Sequence, residues 1–115
     1  MEKSKKKLLR SQFRTAVFTR DKHRCRCCGT AGSDRQSLEE DSVALDAHHI
    51  TNRKKFLNGG YVKENGITVC DDCHLLVEEF LTNGHGDPKH DPVNLYIMIG
   101  SSLELAHEAD LANSA

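Results

Sequence analysis

The chain has 115 residues, 37% of them hydrophobic, with four Phe, two Tyr and no Trp, so it encloses at most one small domain with a thin core that calls for reinforcement. Five cysteines without an apolar signal segment argue against a secreted disulfide framework, and no apolar run approaches the about 20 residues of a membrane helix; a soluble cytoplasmic protein is the expectation. The formal net charge of −1 hides a polarity: residues 1–30 hold ten Lys or Arg against two acids, whereas residues 31–115 hold six against fifteen, and the basic end suits a polyanion.

In chain order, residues 1–10 (MEKSKKKLLR) read as a basic arm. The stretch SQFRTAVFTRD then predicts a short helix, with Ser11 as its N-cap, Phe13, Val17 and Phe18 on one face and Arg10, Arg14 and Arg20 on the other. RCRCCGTAGSD is a cysteine-bearing turn and RQSLEEDS a polar loop. VALDAHHI alternates as a strand that ends on a histidine pair, TNRKKFLNGGYVKENG is a polar loop, and ITVC is a second β-branched strand. CHLLVEEFLTNG continues as a helix stopped by Asn83 and Gly84. After the breaker segment HGDPKHDP, residues 93–112 predict C-terminal helical structure interrupted near Gly100, acidic and apolar enough to serve packing or self-association.

Two CxxC pairs, Cys25 with Cys28 and Cys70 with Cys73, lie 41 intervening residues apart. Each pair lets two thiolates converge on one ion from a single turn, and two such knuckles complete the tetrahedral four-thiolate geometry of structural Zn²⁺. Such a site contributes on the order of 10 kcal/mol of apparent binding energy to folding, which is the reinforcement the thin core lacks. Cys27 falls inside the first knuckle as a spare thiol, able to replace Cys28 if the turn is offset.

The ordered set His48-His49, Asn65 and His74, embedded in HRCRCCG, LDAHHI, ENGITVC and CDDCH, closely resembles the HNH endonuclease family in its cysteine-caged form over roughly residues 13–82. The resemblance implies an α+β fold: a small ββα-metal finger, meaning a two-stranded antiparallel hairpin plus a helix, with flanking N- and C-terminal helices and a structural four-cysteine zinc site. It divides the chain into the arm at 1–10, a nuclease domain at 11–84, and a C-terminal helical extension at 85–115 packed on the domain.

Carried over position by position, the resemblance implies that His48 is a metal ligand, His49 the general base, Asn65 the amide that ties the loop together, and His74 the second ligand. Adjacent strand residues face opposite ways, so one imidazole holds an ion while the next reaches another atom of the same phosphate. Relatives with an all-histidine site often carry a histidine four residues after the helix ligand; here that position is Glu78, a candidate third ligand. Mg²⁺ or Mn²⁺ suits an oxygen-rich completion, and two imidazoles tolerate Zn²⁺ or Ni²⁺.

Arg53, Lys54 and Lys55, with Arg14 and Arg20 of the first helix, are candidate contacts to a DNA phosphate backbone, and imply weak sequence preference. The expected activity is metal-dependent DNA cleavage by a monomer or homodimer, with nicking in the monomer case, leaving 5′-phosphate and 3′-hydroxyl, as in the small enzymes of phage and mobile elements. The competing reading is a non-catalytic zinc-knuckle module that binds nucleic acid, for which the four cysteines alone would suffice. A redox protein resting on Cys27 is a remote third.

Overall fold

The computed structural model describes residues 3–113, with side chains from Lys7 onward; residues 1 and 2 of the basic arm lie outside the described residues. Helix α1 runs from Lys3 to Arg20, longer than the sequence suggested. Ser11 is therefore a mid-helix residue and not an N-cap, because the Lys, Leu and Arg run before it consists of good helix formers with no breaker to stop propagation.

Strand β1 (Ser33–Asp34) pairs in parallel with β2 (Ala44–His49), and β2 pairs antiparallel with β3 (Gly66–Cys70), so the expected hairpin gains a third, two-residue strand. Helix α2 spans Asp71–Asn83. Asp71 and Asp72 occupy its first turn, where negative charge meets the positive end of the helix dipole, and Gly84 closes it at φ 74°, donating its N–H to the Phe80 carbonyl. The β2–β3 hairpin and α2 form the ββα unit, with α1 packed on the hairpin.

Helices α3 (Pro92–Met98) and α4 (Leu103–Leu111) follow, separated at Gly100. The two Asp-Pro steps are helix starts: Asp87 and Asp91 each cap a backbone N–H two residues on, and Pro88 and Pro92 take the position where a missing N–H costs nothing. Leu95, Tyr96 and Ala106 from these helices enter one core with Leu45, Ile67, Val69 and Val77, so residues 85–113 share the interior of the finger. Among the described residues no helix is long and apolar enough to cross a membrane.

Two anchors position the hairpin. The buried Asp21 carboxylate, just past α1, accepts from Arg20, Arg26 and the Thr68 backbone N–H, tying the helix end to β3. Gly66 lies opposite His49 in the β2–β3 register, and a Cβ there would fall 2.4 Å from Val17 and 2.6 Å from Phe13. The missing side chain is what lets α1 lie against the hairpin beside His49.

Candidate metal centre and nucleic-acid groove

Cys25, Cys28, Cys70 and Cys73 bring their sulfurs within 4.8 Å of one another. Tetrahedral Zn–S bonds of about 2.3 Å place sulfurs about 3.8 Å apart, and Cys28 Sγ and Cys70 Sγ are separated by 3.7 Å. The cluster is compatible with structural zinc. Cys27 lies outside this four-sulfur set and packs partly buried against the core.

A second cluster forms where β2 meets α2. His48 emerges buried from β2, and His74 and Glu78 stand one helical turn apart on α2. One carboxylate oxygen, Glu78 Oε1, lies 3.3 Å from His48 Nδ1 and 3.3 Å from His74 Nε2, with the two rings 5.2 Å apart. The His48 hydrogen bond, helped by both histidines' charges, outweighs burial and holds the Glu78 carboxyl down at about 2. Two imidazole nitrogens and an ionised carboxylate oxygen form a donor set that fits a divalent cation. The other nitrogen of His74, Nδ1, is 3.7 Å from Asp46, whose carboxylate is held in turn by Arg35.

His49 points the other way. Its ring stacks on Phe13 of α1 at 4.3 Å and meets Tyr61 edge-on at 5.3 Å, and its Nε2 is buried without a hydrogen-bond partner among the described residues. Burial above all, then the charges of Arg53 and His48, lower its pKa to about 4, so the ring is neutral at physiological pH.

Asn65 is fully buried and its amide is spent on the loop. Oδ1 accepts from the Thr51 N–H at 3.0 Å and the Tyr96 hydroxyl at 2.7 Å, while Nδ2 donates to the carbonyls of Thr51 at 3.1 Å and Gly60 at 3.4 Å.

His48, His49, His74 and Glu78 all open onto one groove of about 750 Å³, whose walls include Arg53 and Lys54. Residues 25–79 match the family model described as HNH endonuclease. They form an HNH endonuclease domain. No curated protein and no solved structure matched the chain. The HNH domain points to a nuclease with nucleic acid as substrate, and HNH nucleases use divalent metals.

The basic residues separate by what their guanidinium and ammonium groups already do. Arg53 and Lys54 line the groove, and Lys55 is exposed beside them. Arg14 is bound to Asp34 at 2.5 Å and edges a smaller recess beside His49. Arg20 donates to Asp21 and to the carbonyls of Lys63 and Gly66, and lines neither the groove nor the recess. Its donors are committed to holding the fold.

Four further residues contribute to the site, three of them without being marked by the local sequence. Tyr61 lies between Arg10 and Arg53, both of which hydrogen-bond its hydroxyl, Arg53 at 2.6 Å. Phe13 is legible only as part of a helix face, and Tyr96, 31 positions from Asn65, carries no local signal. Asp46 alone was traceable, since a residue two before His48 on a strand shares its face.

Proposed function

We propose that this protein is a metal-dependent DNA endonuclease that uses His49 as general base, His48, His74 and Glu78 as ligands of a divalent cation, and Asn65 as the tie of the loop between them. The nuclease domain spans residues 11–84, and residues 85–115 are a C-terminal extension whose described part, 85–113, packs on it. The observation that carries the reading is the placement of a neutral His49 and a His48–His74–Glu78 donor set on opposite sides of one strand end, both opening on the same basic groove.

The chemistry follows from the side chains. Arg53 and Lys54 hold the phosphate backbone by charge, which favours weak sequence specificity. His49, neutral through burial, accepts a proton from water as its oxygen attacks phosphorus; the P–O3′ bond breaks, leaving a 5′-phosphate and, after the 3′-alkoxide takes a proton from solvent, a 3′-hydroxyl. When bound, the cation would supply charge stabilisation at the phosphoryl oxygens and the leaving alkoxide. Glu78 adds an oxygen ligand to two imidazoles, which favours Mg²⁺ or Mn²⁺ while tolerating Zn²⁺ or Ni²⁺. A phosphate seated on Arg53 removes one cause of the low His49 pKa and so makes the base stronger as substrate binds. One such site in a monomer cuts one strand, so nicking is the expected outcome.

The test is supercoiled-plasmid cleavage by metal-stripped, zinc-replete protein with each of the four metals added back, comparing the native chain with His49→Ala. Metal-dependent nicking that falls at least about 100-fold in folded His49→Ala supports the assignment. If the native chain binds DNA but cuts with none of the metals, a zinc-knuckle binding module replaces it.

A further inference from the structure

The C-terminal helices reach back to the loop that walls the groove. Tyr96, buried on α3, donates its hydroxyl to Asn65 Oδ1 at 2.7 Å and lies 2.7 Å from Thr51 Oγ1. Asp110, in the last turn of α4 and 1% exposed, receives the Asn58 N–H at 2.9 Å and the Gly60 N–H at 2.8 Å, while its own carbonyl accepts from the Asn58 side chain at 2.9 Å. Both residues lie outside the matched HNH segment at 25–79.

Asp110 is a costly choice for packing alone. Among the described residues no cation pairs with it, and a negative charge at a helix C-terminus opposes the helix dipole. Its compensation comes from the two loop amides, and charge-assisted hydrogen bonds of this kind are strong and directional. Thr51 opens the loop, two residues after His49, and Asn58 and Gly60 close it; Arg53 and Lys54 lie between.

We propose that α3 and α4 act as a two-point buckle on residues 51–60, with Tyr96 and Asp110 as positioning residues for the nuclease reaction. The proposal rests on the nuclease reading above. The two points act on different steps. Tyr96 acts through Asn65 on the end of the loop that follows the base. Asp110 acts on the far end, and through it on how the loop presents Arg53 and Lys54 to DNA.

The test uses full-length Tyr96→Phe, which removes one hydroxyl, and Asp110→Asn, which keeps the side-chain shape but sets an NH₂ against a loop N–H. Cleavage kinetics and amide hydrogen exchange are measured on each. Expected is a fall in kcat of about tenfold in Tyr96→Phe with KM little changed, and a rise in KM of about tenfold in Asp110→Asn with kcat little changed. Exchange should quicken at Thr51 in the first and at Asn58 and Gly60 in the second. Native kinetics in both variants, or kcat and KM shifting together in both, would overturn the proposal. If the native chain cleaves no DNA, the nuclease reading has failed, and unchanged loop exchange in both variants then refutes the buckle itself.

Discussion

Glu78 Oε1 lies 3.3 Å from His48 Nδ1, joining the second turn of α2 to the end of β2 across the mouth of the groove. A carboxylate held down at about 2 stays ionised at any working pH, so it offers a cation a permanent negative oxygen. Glu78→Gln keeps the shape and removes the charge. Calorimetric titration of the zinc-replete protein with Mn²⁺ should show affinity at least about tenfold weaker than in the native chain, with zinc content unaltered. Unchanged affinity would remove Glu78 from the ligand set.

The His49 ring should titrate near pH 4 in an NMR titration of its ring protons. A depressed histidine pKa means that the unfolded chain binds the proton more readily, so the stabilising effect is complete above about pH 6.5 and is lost as pH falls toward 4. Unfolding free energy measured against His49→Asn should therefore decline across that window, by up to about 3 kcal/mol. A His49 midpoint near 6.5 would show that the ring is not held neutral by burial.

Phe13 is the surface that buries His49, with the rings 21° from parallel. Phe13→Leu retains apolar volume while removing the stacked face. The variant should lose about 1 kcal/mol of stability, lose about tenfold in kcat, and show the His49 midpoint moving up toward the ordinary value. Native kcat in a folded variant would mean that the stack does not position the base.

Arg10 and Arg53 converge on the Tyr61 hydroxyl, and among the described residues neither has a carboxylate within ion-pair distance. Two such guanidiniums repel until an anion joins them. Arg10→Gln and Arg53→Gln should each reduce the slope of log affinity for duplex DNA against log salt by about one. Arg20→Gln should leave that slope alone and lower the thermal midpoint, because its donors serve Asp21, Lys63 and Gly66.

The four-sulfur cluster should account for the metal that survives mild chelation. Cys27→Ser is expected to retain one equivalent of zinc and a native melting curve, whereas Cys70→Ser should lose the zinc and, with on the order of 10 kcal/mol of binding energy gone, fail to fold. Elemental analysis with circular dichroism reads both outcomes. Zinc loss in Cys27→Ser would put the spare thiol into the cage.

Much of the scaffold is written locally. The CxxC spacings, the alternating strand that ends on His48 and His49, and the one-turn separation of His74 from Glu78 are short-range patterns with short-range geometric consequences. The start of α1 is not legible locally, because Ser11 has the character of an N-cap whenever the preceding basic run is taken as an arm, and only continuous helical pairing from Lys3 shows otherwise. Strand β1 is two residues long and polar, and it exists because Gly32 and Ser33 lie close against the Val43 backbone, a contact no pattern within residues 31–42 announces.

The sequence by itself determined the two CxxC knuckles, the order of the HNH residues and the succession of strand, loop, strand and helix, because ligand spacing within a turn and strand alternation are properties of neighbouring residues. The tertiary structure alone decided that Phe13 covers His49, that Arg20 faces backbone carbonyls instead of solvent, and that Tyr96 and Asp110 hold the groove loop. Those pairings span dozens of residues, and whether a ring, a guanidinium or a carboxylate meets water or protein depends on how helices pack on the sheet, which local pattern does not encode.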